Sequence, residues 1–285
     1  MTNPTTEHIL DTDNHFGYII GYPIDYETGE KTDDKNRWPV RPTADITRAE
    51  VATVFFRMLL DDKRKEYWTK ENDFFDVEKS HWYNNAVSVM AAMGILKGYS
   101  DGTFMPNKAI TRAEMATIAA RFARMTGVDV TTNNTFTDIE GHWAKNDIEF
   151  AAAVGWVNGY PDGSFHPQDN ITRAEFMTLA NRMLERQPEE ESDLLDDMIK
   201  WPDNSPSDWW YLAVQEATNS HEYTRKGKTV PYLSFEYETW LVMLEMRDWS
   251  AFEKEWSDAD SAPNPGDVIP PHEGEASNEG EESNG

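Results

Sequence analysis

The sequence predicts a mainly α-helical fold: a pseudo-threefold bundle of three helix-turn-helix units with short extended turn segments, followed by an acidic C-terminal tail without fixed structure. Three observations carry this reading. The pentapeptide Ile-Thr-Arg-Ala-Glu occurs at 46–50, 110–114 and 171–175, each time heading an apolar pattern of helical spacing. The blocks upstream of its second and third copies match one another. Finally, the chain begins with a lone back half of that block and closes with a lone front half, and joining the two would leave no unpaired apolar edge.

The three patterns are Val51, Val54, Phe55, Met58; Met115, Ile118, Ala119, Phe122; and Phe176, Leu179, Ala180, Met183. Each follows i, i+3, i+4, i+7, the buried stripe of an amphipathic helix. Thr47, Thr111 and Thr172 fit N-caps, with Glu50, Glu114 and Glu175 completing capping boxes. Arg48, Arg112 and Arg173 fit capping badly, because a cation at the first helical position opposes the helix dipole by roughly 0.3–1 kcal/mol. Two readings remain open for them: an anionic ligand gripped by guanidinium and helix start together, or an ion pair with an acidic residue of the next unit.

Residues 1–14 are polar and expected to form a loosely held arm. Unit 1 covers 15–72, lacks its front helix and opens on Gly17-Tyr18-Ile19-Ile20-Gly21-Tyr22-Pro23, an extended run entering a turn. From Gly21 to Arg48 is 27 positions, against 14 for Gly98 to Arg112 and Gly159 to Arg173, so an inserted surface loop is placed at 24–38. A charged linker, 61–72, follows the helix. Units 2 and 3, at 73–130 and 131–190, each run from Phe-x-Asp and His-Trp through a helix stopping at Gly94 or Gly155. A turn follows, Gly98-Tyr99-Ser100-Asp101-Gly102-Thr103-Phe104 or Gly159-Tyr160-Pro161-Asp162-Gly163-Ser164-Phe165, leading to the capped helix. Residues 191–256 read as a degenerate half-unit closing the ring. Within it, Trp210 packs beside the helix starting at Thr47 and a capping helix runs over 232–249. Residues 257–285 form the tail, lacking the apolar side chains needed to fold.

These residues carry a resemblance. The succession Phe-x-Asp, His-Trp, Gly-Tyr-x-Asp-Gly-x-Phe, Pro and Ile-Thr-Arg-Ala-Glu in 75–114 and 136–175 closely resembles the S-layer homology (SLH) repeat. The likeness extends over about 15–249. It implies a three-pronged bundle that anchors a bacterial surface protein non-covalently to a secondary cell-wall polysaccharide, often pyruvylated, or to modified peptidoglycan. It further implies Arg48, Arg112 and Arg173 as carboxylate ligands in inter-unit grooves floored by Thr47, Thr111 and Thr172 and walled by Trp82, Trp143 and Trp210. The grooves of Arg112 and Arg173 are expected to be better formed than that of Arg48. Replacing both by Ala is expected to abolish wall binding without unfolding, on the view that they begin exposed helices.

A net charge of -26 argues against nucleic acid, since no basic stripe offsets it. It also opposes an anionic polymer in bulk, so affinity is expected to rise as salt screens the repulsion. Cysteine is absent, no apolar run approaches a membrane span, and the first ten residues show no signal-peptide pattern. The expectation is nonetheless an extracellular wall or S-layer location for a monomer. No enzyme is expected: three equivalent capping glutamates do not resemble a glycosidase pair. Nor is a cofactor or metal, since His81, His142 and His166 lack ligand spacing and Asp11-Thr12-Asp13-Asn14 lacks the rest of a calcium loop. The alternative function is a protein-interaction module using the same grooves.

Overall fold

A computed structural model describes residues 9–127, 130–132, 136–259 and 261–263. Its helices are α1 (Arg48–Met58), α2 (Asp61–Glu66), α3 (Asn84–Ala92), α4 (Arg112–Met125), α5 (Lys145–Ala153), α6 (Arg173–Met183), α7 (Tyr211–Thr218) and α8 (Trp249–Asp258). One antiparallel hairpin, β1 (His221–Thr229) with β2 (Glu236–Met243), lies between α7 and α8.

The motif helices α1, α4 and α6 begin as their sequences dictate. In each, the Thr hydroxyl accepts from the Glu amide while the Glu carboxylate reaches back to the Thr amide. The residues before the helices are bound in a closed cycle: Ile46 N–H donates to Ile171 O, Ile171 to Ile110 O, and Ile110 to Ile46 O. Beneath this cycle the helices pack through unequal side chains at matching positions. Val51, Met115 and Phe176 form one level, Phe55, Ala119 and Ala180 the next, Met58, Phe122 and Met183 the third, all buried. The small alanines admit Phe55, whose ring lies 4.9 Å from Phe122 and 5.7 Å from Phe176. At the middle level one large side chain set against two small ones fills the centre.

A second device holds the turns before the motif helices. Met105 and His166 have left-handed backbone, φ 54° and 55°, and so does Arg41 at φ 56°. In two of the turns a carboxylate spans the strained residue: Asp76 accepts from Phe104 and Met105 N–H, Asp138 from Phe165 and His166 N–H. For the first turn the carboxylate comes from far along the chain, as Asp203 accepts from Val40 and Arg41 N–H at 2.9 and 2.7 Å. The chain leaving α3 turns back so that Ile95 and Leu96 N–H reach Met90 O, and Trp156 and Val157 reach Ala151 O after α5. Tyr18 and Ile19 make the same pair of bonds to Ala217 O of α7. The late helix thus supplies what the early turn lacks. It lies against α6, not beside α1 as the sequence suggested, just as α3 lies against α1 and α5 against α4.

Other expectations are corrected. Residues 9–14 are not a loose arm: Leu10 is fully buried and bridges Leu59, and Asp11 N–H bonds Met58 O. The arm's 1–8 lie outside the described residues, as do most of the tail's; 257 and 258 end α8. Within the expected linker 61–72, 61–66 form α2, whose Arg64 is buried over the Phe252 ring. The helix expected over 232–249 is instead β2, since Tyr237, Thr239, Trp240 and Val242 favour strand and burial falls on Glu238 and Trp240, two apart. The capping role passes to α8, which buries Trp249, Phe252 and Trp256. The insertion at 24–38 is a mostly exposed loop, as expected, tied by the Arg37–Asp25 ion pair.

Candidate functional site

Three clefts open between the motif helices, each built from the same parts. One is lined by Arg112, Tyr160, Glu175, Arg182 and Trp209; the second by Arg48, Tyr99, Glu114, Arg121 and Trp143; the third by Tyr22, Glu50, Arg57, Trp82 and Arg173. Their volumes are about 280, 360 and 170 Å³, so the groove of Arg48 is the most voluminous of the three and that of Arg173 the least.

Of the two roles left open by the sequence, the motif arginines take the ion pair. Each side chain crosses to the next motif helix and pairs with its capping glutamate: Arg48 Nη1 to Glu114 at 3.5 Å, Arg112 to Glu175 at 3.3 Å, Arg173 to Glu50 at 3.0 Å. Each Nε donates to the carbonyl ahead of the left-handed turn residue, Phe104, Phe165 or Val40. The guanidinium faces lie over Tyr99, Tyr160 and Tyr22 at 4.9–5.1 Å. This explains a cation at a helix start: its charge is carried to acceptors on the neighbouring motif, away from the dipole that opposes it. With side-chain exposures of 6, 12 and 6%, these arginines do not begin exposed helices, and their removal would disturb the fold.

The capping glutamates feel this surrounding. Burial alone would raise the Glu50 pKa, but the Arg173 guanidinium and the Thr47 amide and hydroxyl outweigh it and hold it below 4.5. At Glu114 the same opposition, of burial against the Thr111 amide, the Tyr99 hydroxyl and Arg48, also ends in a lowered value. The hydroxyls of Thr47, Thr111 and Thr172 donate to the same glutamates, so their hydrogens are committed to the caps.

Trp82 and Trp143 stand out from the fold at 61 and 65% exposure and wall the grooves of Arg173 and Arg48. In the remaining groove that position belongs to Trp209, 65% exposed, and Trp210 is half-buried at the N-cap of α7. The sequence offset by one explains the difference. Trp209-Trp210 matches Trp82-Tyr83 and Trp143-Ala144, where the second residue is the N-cap in every case. His81 and His142 cap turns, accepting from the Glu78 and Ala144 amides, and His166 pairs with Asp169 at the surface.

A second arginine per groove escaped the sequence reading. Arg57, Arg121 and Arg182 stand nine positions after each motif arginine, a spacing visible in all three copies. Arg57 is paired with Glu253 at 2.5 Å. Arg121 and Arg182 donate to Ile95 O and Trp156 O and, among the described residues, have no ion-pair partner. Burial lowers the pKa of both, so a cation stands there against its desolvation cost. The arrangement provides, per groove, an indole face, a phenol and a part-buried guanidinium.

The family model of the S-layer homology domain matches residues 73–116 and 135–177. The chain is 39% identical over 188 residues to a cellulosome-anchoring protein of Acetivibrio thermocellus, covering 64% of this chain and 40% of the relative. It is 30% identical over 180 residues to the surface-layer 125 kDa protein of Lysinibacillus sphaericus, covering 60 and 15%, and 37% identical over 151 residues to an amylopullulanase of Thermoanaerobacterium thermosulfurigenes, covering 51 and 8%. The chain therefore spans well under half the length of each of these relatives. Among the described residues no helix is long and apolar enough to cross a membrane. The grooves, the capped motif helices between them and the family match agree: the chain carries S-layer homology domain repeats at 73–116 and 135–177.

Proposed function

We propose that this chain is a non-catalytic anchoring module that holds a bacterial surface protein on the cell wall. It acts outside the cell as a monomer whose clefts are related by a pseudo-threefold arrangement. Its ligand is a secondary cell-wall polysaccharide bearing an acidic substituent, such as a ketal-linked pyruvate, or a similarly modified peptidoglycan. The observation that carries the reading is the recurrence in three clefts of one exposed tryptophan opposite a pair of arginines. An indole stacks on the apolar face of a sugar, and a guanidinium grips a carboxylate through two N–H donors.

Because Arg48, Arg112 and Arg173 are engaged with the neighbouring glutamate, the carboxylate is better served by Arg121 and Arg182, with the motif arginines shaping the floor. An anchoring role also accounts for a segment shared by an anchoring protein, a surface-layer protein and an amylopullulanase that makes up only 8–40% of each. Wall fragments incubated with the purified chain before and after extraction of the secondary polymer test the idea. Loss of co-sedimentation after extraction is expected. Undiminished binding to stripped walls would overturn it, and binding then traced to a wall protein would establish the interaction-module alternative.

A further inference from the structure

Away from the grooves, four side chains from four segments meet in the interior: His15 ahead of the first turn, Glu216 on α7, His221 at the start of β1 and Glu238 on β2. Their side chains are 0% exposed, and one ligating atom of each lies within 4.8 Å of the others. His15 Nδ1 is 3.2 Å from His221 Nε2 and 3.2 Å from Glu238 Oε1; His221 Nε2 is 3.4 Å from Glu238 Oε1 and 3.5 Å from Glu216 Oε2; His15 Nδ1 is 3.8 Å from Glu216 Oε1. Ligands at about 2.0–2.1 Å from a tetrahedral ion are separated by roughly 3.3–3.4 Å. Four of these five separations, 3.2–3.5 Å, lie near that figure, and the fifth is 3.8 Å.

The surroundings orient the ligands as metal sites do. His221 Nδ1 lies 3.1 Å from Asn219 O, which places the proton on Nδ1 and turns the Nε2 lone pair toward the cluster. The Glu216 and Glu238 carboxylates are braced from behind by Trp240 Nε1 at 2.9 Å and Arg225 Nη1 at 3.1 Å. Tyr223 stacks on His15 at 3.7 Å and Trp240 on His221 at 4.0 Å, closing the site to solvent. Among the described residues, Glu216 Oε1 has no hydrogen-bond partner although it is buried. Two facing carboxylates in a dry interior are costly by themselves. A dication cancels their two charges.

We propose that His15, Glu216, His221 and Glu238 bind one divalent ion of the zinc class in a closed, structural site that pins the β1–β2 hairpin and the N-terminal segment to α7. All four positions are supplied by the protein and shielded from solvent, so the ion stabilises and does not catalyse. The backbone already converges there, with His221 N–H bonded to His15 O and Leu244 N–H to Ser220 O. The spacing of 206 positions between the two histidines is why no sequence motif announces the site.

The chain, stripped by a chelator and dialysed, is titrated with Co²⁺ and Zn²⁺. Expected are one Co²⁺ per chain with the visible absorption of a tetrahedral ion, its displacement by Zn²⁺, and a thermal midpoint raised by roughly 5–10 °C at a 100-fold excess over Kd. Glu216→Gln and Glu238→Gln, nearly the same shape as the protonated acids, are expected to lose all three effects while keeping the wild-type circular dichroism. X-ray absorption on the zinc-loaded wild type, which needs no variant, is expected to show two imidazole nitrogens in a four-ligand shell. Absence of stoichiometric binding, an all-oxygen shell, or unchanged binding in both variants would overturn the site; the last two would place the ion on the acidic surface.

Discussion

At the scale of the residue, the motif arginine and the groove tryptophan are both prominent in the sequence and do different work. Arg173→Ala removes the partner of Glu50 and the donor to Val40 O, and is expected to lower stability by about 2–4 kcal/mol in urea unfolding. Trp143→Ala and Trp209→Ala remove exposed side chains. They are expected to change stability by less than about 0.5 kcal/mol yet to cut wall retention at least tenfold, measured by co-sedimentation. Because Glu50 and Glu114 have lowered pKa values in the fold, their contribution is full above the unfolded value near 4.5 and is lost as pH falls through the folded values. Glu50→Gln and Glu114→Gln are therefore expected to be less stable at pH 7 and to lose less on acidification to pH 3, followed by thermal midpoint. The capping boxes were legible because they are local and repeated. Arg121 and Arg182 repeat at fixed spacing too, but an arginine on a helix face gives no sign of which neighbour it lacks. The sequence pointed to Trp210 because two adjacent tryptophans leave the register ambiguous by one.

At the scale of the element, the turn before each motif helix is the strained part, and it is held by an aspartate rather than by a glycine. Asp138→Ala strands the Phe165 and His166 amides at a left-handed residue and is expected to cost about 2–3 kcal/mol in denaturant unfolding. Gly159 is needed for closeness: a Cβ there would sit 2.3 Å from Phe136 Cε1 and 2.6 Å from Ser164 O. Since the backbone oxygen is not free to move aside, Gly159→Ala is expected to destabilise by about 1–3 kcal/mol in the same assay. Helices α1, α3, α4, α5 and α6 could be read from period and caps. The hairpin could not, because Tyr237, Trp240, Leu241 and Leu244 fall on one helix face as readily as the segment forms a strand, and only pairing with 221–229 decides. Asp76 and Asp138 are visible in the sequence only as part of Phe-x-Asp; their purpose appears where a carboxylate meets two amides.

For the whole molecule, the clefts depend on segments far apart in the chain. Affinity for an anionic wall polymer is expected to rise between low and moderate salt, as screening relieves repulsion from a net charge of -26; a steep fall in retention with salt would show the grooves to be basic enough to dominate. That the chain opens on a back half and closes on a front half was legible from counting. The partner of α7 was not, because the sequence says which halves are incomplete and not which neighbour each leans on. Asp203 and Ala217 hold Val40, Arg41, Tyr18 and Ile19, with 163 positions between Asp203 and Val40. During synthesis the first of these segments leaves the ribosome long before its partners have been translated. Its apolar side chains must therefore be shielded by a chaperone or kept in transient contacts, and the early cleft can acquire its shape only after most of the polypeptide is made.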